Sequence, residues 1–327
     1  MNIRGEGMKA QAKAVQTEPG MKKKKTNWKH WIPFYIMFIP GFVYLFINNY
    51  MPLYGLQLAF KQFSYQKGIN GSPWIGMKNF QFLFATNDAF IMIRNTLLYN
   101  IIWILIGIVF GITVAILFNE VTNKLAKKFY QTAILLPYLM SMVVVAYLVY
   151  AFLSTDTGLV NNSIIKGIFG QEEGISWYTE KAYWPFILTF VQQWKQIGFG
   201  MLLYLSSLLG IDQSYYEAAM LDGASRWQQI RKITIPLLKP TIIMLTILNL
   251  GQVFRSDFGL FYQVPMNQGA LYSVTQTIDT YVYRALLVNN NLGMSSAASF
   301  LQSVVGFIFI VTANGIVRKM DKNSSLF

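Results

Sequence analysis

The sequence predicts an all-α membrane protein of six transmembrane helices, with the N- and C-termini both cytoplasmic, and three observations predict it. Apolar residues make up 54% of the 327 and charged residues only 13%, about half the charge of an ordinary soluble domain. A surface of that composition suits hydrocarbon better than water. Six segments reach the roughly 20 mainly apolar residues that a helix needs to cross a core about 30 Å thick while satisfying its own backbone groups. Lysine and arginine fall unevenly between alternate loops, and that asymmetry sets orientation.

The first segment, 31–51, follows the run Lys22–Lys25 and ends at Asn48-Asn49-Tyr50-Met51-Pro52. No small-x-small cleavage pattern follows it, so it reads as a span and not as a cleaved signal peptide. Pro40-Gly41 in its middle predicts a kink. The second and sixth segments, 95–118 and 297–317, are the cleanest. The third covers 130–153; the fourth and fifth, 184–209 and 241–264, carry internal polar residues. With the N-terminus inside, the pieces 1–30, 119–129, 210–240 and 318–327 hold 18 lysines and arginines, against 7 in 52–94, 154–183 and 265–296. The expected organisation is a basic cytoplasmic tail over 1–30, a transmembrane domain over 31–317 with a cytoplasmic loop at 210–240, and a short cytoplasmic tail at 318–327. The polar, basic, aromatic-poor composition of the first tail predicts disorder.

Several function classes are disfavoured. A net charge of +13 can mark a nucleic-acid partner, but here the excess is a topology signal and an attraction to anionic headgroups. There is no cysteine and a single histidine, His30, at the edge of the first apolar segment. Disulfides and thiolate chemistry are thereby excluded, and a His- or Cys-built metal site is disfavoured. No metal site and no catalytic residue is assigned, and the chain is expected not to be an enzyme. None of the 24 glycines precedes a lysine, so the phosphate loop of an ATPase is absent. No external segment is long enough to form a substrate-capturing domain.

The loop at 210–240 carries the densest signal. Asp212 is a good N-cap for a helix through Leu221, and Gly223 is a good stop. Ser225 can cap a second short helix, expected to end before Pro236, where a donor is missing. Tyr216, Ala219 and Met220 share a face of the first helix; Trp227, Ile230 and Ile233 fall at helical spacing in the second. On physical grounds alone this is a pair of short helices meeting at a glycine, and a hairpin lying on headgroups has the same look.

Glu217-Ala218-Ala219, Asp222-Gly223-Ala224, Ile233-Thr-Ile235-Pro236 and Pro240 closely resemble the "EAA" loop of bacterial ABC importer permeases, and they do so just before the penultimate span. Ile230 stands where that pattern often has Phe, and Ile235 where it usually has Leu. Weaker similarities extend along the chain: Trp74-Ile-Gly76-Met-Lys-Asn79-Phe80 with Leu83-Phe84 and Asn95-Thr96, then Leu135-Leu136-Pro137, resemble sugar-type permeases. Phe258-Gly-Leu-Phe-Tyr262 near Pro265, with Asp279-Thr-Tyr281, resembles the branch serving complex oligosaccharides. The resemblance implies a type I ABC importer permease fold in the cytoplasmic membrane. It also implies a second permease subunit, two ATPase subunits that use ATP and Mg, an external solute-binding protein and a carbohydrate substrate. No cofactor is expected on this chain. The family's coupling glutamate falls on Glu217 and its turn glycine on Gly223.

Candidate substrate contacts are the polar groups inside spans, because each is costly there. They are Gln193, Trp194 and Lys195 in the fourth span and Asn249, Gln252, Arg255, Asp257 and Tyr262 in the fifth. On a helix Arg255 and Asp257 would point to nearly opposite sides, so a cross-span partner such as Lys195 is expected for Asp257. Polar glue between helices is an equally weighted alternative. Beside a carbohydrate importer stand an importer of another solute, a secondary transporter or channel, and a membrane-bound enzyme; the loop at 210–240 argues against the second, and the lack of cysteine, the single histidine and the lack of a clustered carboxylate pair in a span argue against the third.

Overall fold

The structure, a computed structural model, describes residues 28–81, 85, 87–170 and 173–320, with side chains from Trp31 to Lys319. The basic run Lys22–Lys25, the Leu83-Phe84 pair and the last seven residues lie outside that set. The described residues are helical, apart from loops and one isolated antiparallel bridge between Lys61 and Trp74.

They fall into two units, divided after Tyr54. The first contains α1, Trp28–Leu45, which passes through Pro33 and Pro40 unbroken. Its departure from α geometry comes later, as a π turn at Phe46–Tyr50. Phe38, Phe42, Phe46 and Tyr50 follow one another at four-residue spacing, with ring centroids 5.6–6.3 Å apart.

The second unit holds α2 (Asn87–Asn119), α3 (Lys124–Leu139), α4 (Met142–Leu153), α5 (Trp184–Leu209), α6 (Ser214–Leu221), α7 (Arg226–Gln229), α8 (Ile235–Leu250), α9 (Phe258–Gln263), α10 (Ile278–Leu287) and α11 (Leu292–Met320). α2 packs along α5, α5 also along α3, and α10 against α11. Buried clusters sit along these contacts: one around Trp103, Trp184 and Phe261, one around Phe80, Met92 and Phe254, one around Met201, Tyr204 and Leu238. Gly198 lets α5 touch α3 backbone to backbone, since a Cβ there would lie 2.3 Å from the Ile134 carbonyl oxygen. Small residues at such crossings are how membrane helices approach closely.

By length and composition four helices can cross a membrane: Trp31–Phe60, Asn87–Asn119, Arg226–Leu250 and Leu292–Lys319. The pair α3–α4, bent by 97°, makes a fifth if it is one span. The fourth segment of the sequence, 184–209, is reproduced residue for residue as α5. Its core of Gln192, Gln193, Lys195 and Gln196 makes it too polar to qualify on composition alone.

Two expected spans are interrupted, and each interruption has visible support. Between α3 and α4 the carbonyls of Pro137, Tyr138 and Met140 all accept from the Lys195 ammonium, at 3.2 and 3.1 Å for the first two. The fifth segment, read as one helix over 241–264, stops at Leu250, turns through Gly251–Phe254 and resumes as α9. Arg255 and Asp257 therefore lie in the break and not on a helix. Backbone groups freed by a break in hydrocarbon must find partners within the protein. Asn100 on α2 donates to the carbonyls of Val253 and Arg255 at 3.0 and 2.8 Å. Gln302 on α11 donates to that of Phe254 at 2.6 Å, and Asp279 on α10 accepts from the Ser256 N–H at 2.6 Å.

Candidate functional site

The loop at 210–240 folds as two helical arms about a glycine. Asp212 accepts from the Ser214 N–H at 2.9 Å, so it serves the first turn from one position further out than expected; the cap position itself is Gln213. That backbone bond holds the exposed Asp212 carboxyl below the usual carboxylate range. At the other end of α6, Gly223 has φ +78°. Its N–H donates to the Met220 carbonyl at 3.0 Å, while that of Ala224 reaches back to Ala219 at 2.9 Å. This bond pair defines a Schellman stop, which wants a residue at ease in left-handed geometry.

Ser225 starts the second arm in a reciprocal capping box with Gln228. That arm does not end before Pro236. A π turn over Ile230–Thr234, which includes Ile233, carries it into α8, where Pro236 occupies the first turn and needs no donor. Helix therefore runs from Arg226 to Leu250, 25 residues or about 37 Å. The arms are tied by a 3.0 Å bond between the Tyr216 and Thr234 hydroxyls and by Gln229, buried, donating to the Ala224 carbonyl at 3.2 Å. The other side is open: Glu217, Ala218 and Asp222 are exposed, and Leu221 and Trp227 keep 90% and 69% of their surface. Large apolar side chains thus stand bare beside an exposed carboxylate.

α8 ends beside a cavity of about 580 Å³ between α2, α5 and α8. Of the expected substrate contacts, Gln193, Asn249, Gln252, Arg255 and Asp257 line it together. Trp194, Lys195 and Tyr262 stand apart. Trp194 packs on the apolar cluster around Trp103 and Trp184. Tyr262 stacks with Phe258 and meets Tyr283 edge to face, with ring centroids 4.9 and 5.0 Å away. Lys195 is buried in the α3–α4 bend and does not pair with Asp257, whose carboxylate instead caps α9 through the Leu260 N–H at 3.0 Å. Gln192, Gln196, Asn100 and Asp279 also line the cavity and were not singled out from the sequence as contacts. Gln192 and Gln196 stood in view, flanking the residues that were chosen. Asp279 had entered only through a resemblance, and Asn100 sits in an apolar segment with no local signal.

The walls are thus amide-rich, with one cation and two carboxylates, a surface able to exchange many hydrogen bonds with a hydroxylated solute. Among the described residues no cluster of potential metal ligands is present.

Comparison with known proteins agrees with this picture. Residues 107–322 match the family model described as binding-protein-dependent transport system inner membrane component. Protein LplB of Bacillus subtilis (strain 168) is 33% identical over 91% of this chain and 91% of its own length. The polygalacturonan/rhamnogalacturonan transport system permease protein YteP of the same organism is 34% identical over 88% of each. Among solved structures, a bacterial ABC transporter involved in the import of the acidic polysaccharide alginate superposes with a TM-score of 0.80 at 33% identity, covering 89% of this chain and 96% of that one. The same kind of transporter in complex with an alginate pentasaccharide-bound periplasmic protein superposes with a TM-score of 0.79 at 32% identity. With its fold, its loop and most of its length matched in this way, the chain belongs to the family of inner-membrane components of binding-protein-dependent transport systems.

Proposed function

We propose that the chain is a permease subunit of an ATP-driven importer and forms, with a second permease subunit, the path for a complex oligosaccharide handed over by an external binding protein. The geometry of residues 210–240 is the observation that carries this reading. The Schellman turn and the capping box fix the aim of the two arms and leave an outward face of Glu217, Leu221 and Trp227 exposed for a partner. A cleft on an ATPase subunit would cover that face. The continuous helix from Arg226 to Leu250 then acts as a rod between the docked loop and the cavity wall at Asn249 and Gln252. Two ATPase subunits using ATP and Mg supply the work, because this chain has no glycine-lysine phosphate loop.

The carbohydrate cargo rests on the amide-rich cavity and on relatives named for polygalacturonan/rhamnogalacturonan and alginate transport. The proposed topology has six spans, with α3–α4 as one bent span, α5 as a polar one, and both termini and the 210–240 loop cytoplasmic.

Purified alone in lipid, the chain is expected neither to bind nor to hydrolyse ATP, and to gain substrate-stimulated hydrolysis only when co-expressed with its partners. Tags at both termini and in 119–129 and 210–240 are expected to be protected in intact cells. Hydrolysis by the isolated chain, or outside access to 210–240, would overturn the reading.

A further inference from the structure

The charges of the cavity carry information about the class of its ligand, given the carbohydrate-import reading on which this inference rests. Three charged side chains line it: Arg255, Asp257 and Asp279. Both carboxylates are already committed. Asp279 accepts from the N–H and hydroxyl of Ser256 at 2.6 and 2.8 Å, and from the Gln302 amide at 3.1 and 3.2 Å. Asp257 is engaged as the cap of α9. Donors aimed at a carboxylate stabilise its charge locally, so neither group requires a cation.

Arg255 differs. Its side chain is exposed to the cavity, and among the described residues its guanidinium makes no hydrogen bond and no ion pair, although Asp257 is two positions away. Its backbone, in contrast, is pinned: Asn100 holds the Arg255 carbonyl and Gln302 that of Phe254. A fixed backbone sets the region the guanidinium can reach, and its planar fork matches a carboxylate bidentately. The amides of Gln193, Asn249 and Gln252 line the same cavity and can exchange hydrogen bonds with ligand hydroxyls.

An anion for Arg255 together with hydroxyls for these amides describes a sugar acid. We propose that Arg255 is the specificity-determining residue for a carboxylate on the cargo, so that the substrate class is an acidic, uronate-bearing oligosaccharide. Asn100 and Gln302 act through it, as positioning residues.

The test uses the assembled importer with its binding protein, in proteoliposomes loaded with ATP and Mg. Uptake is measured for oligogalacturonides, oligoalginates and aldouronic acids, and for the same ligands after carboxyl reduction. Wild type is expected to import at least one acidic ligand. Arg255→Gln should lower the ratio of acidic to reduced uptake by roughly ten- to hundredfold, the range for losing a charged hydrogen-bonding partner. Arg255→Lys should restore part of that ratio, and the purified variants should keep all their subunits. An unchanged ratio in Arg255→Gln overturns the proposal, since a guanidinium that served the fold or the second permease subunit would affect both ligands alike. Import of reduced but not acidic ligands overturns it too, while leaving the carbohydrate reading intact. Failure of wild type to import any carbohydrate overturns that underlying reading itself.

Discussion

Changing Glu217 to Lys, or Gly223 to Val, is expected to abolish transport while the chain still inserts in the membrane. The two substitutions act by different physics. Glu217 is exposed on the open face of α6 and free for a partner's cation. Reversing its charge forfeits that attraction and adds repulsion, which against a partly buried cationic group costs about 2–5 kcal/mol. Gly223 has no atom within 4 Å of where a Cβ would stand, so crowding is not the issue. Its φ of +78° is the issue, because left-handed backbone costs an L-residue about 1–2 kcal/mol and a β-branched one more. Valine would shift the stop, lose the two bonds to Met220 and Ala219, and misaim both arms. Either defect should appear as ATP hydrolysis uncoupled from substrate, or as loss of the ATPase from the purified complex. Gln228 is exposed yet is no neutral control, since it closes the capping box. Gln213, whose side chain makes no cap bond, serves instead. Normal import by Glu217→Lys with the ATPase retained would reduce the loop to a connector.

Lys195→Met is expected to have the largest effect on stability. The ammonium gathers three carbonyls at the 97° bend between α3 and α4, of which only that of Pro137 also accepts from a backbone N–H, that of Met140 at 3.3 Å. A thioether of similar length fills the space and donates nothing. The carbonyls of Tyr138 and Met140 would be left without that donor at about 1–3 kcal/mol each, so the bend should lose about 2 kcal/mol or more. Thermal unfolding of the purified complex would show it as a clear drop in Tm, and the yield of inserted chain should fall with it. A Tm equal to that of wild type would mean that the bend is held by something other than Lys195.

These three residues also show what was legible in the sequence. The stop at Gly223 could be placed from the sequence because caps and stops are local features, decided within a few residues, whereas Glu217 entered through the resemblance of the loop. α5 was bounded correctly over 184–209 for a similar reason, since its ends coincide with a tryptophan-proline start and a glycine stop. Lys195 was visible as a costly charge, but its role depends on carbonyls 55–58 positions away, released by a bend that the apolar run 130–153 conceals. The break after Leu250 was hidden in the same way. Composition alone suggested a helix through Arg255 and Asp257, and only Asn100, Asp279 and Gln302 on three other helices make irregular backbone tolerable there. The second arm running through Pro236 is a further case: a missing donor ends an α-helix, but the preceding π turn and a first-turn position accommodate it. Local chemistry could thus be read directly, whereas backbone satisfied from a distance could not.

The account turns on residues 210–240 being a cytoplasmic docking surface for an ATPase. The most direct measurement places a photo-crosslinking side chain at Leu221 or Trp227, the most open apolar positions of the loop, in intact cells expressing the whole importer. The expected product joins this chain to a subunit that carries an ATP-binding phosphate loop, with a yield that changes when ATP is trapped. Crosslinks confined to lipid or to this chain itself, or quenching of the probe by a reagent that cannot cross the membrane, would contradict it.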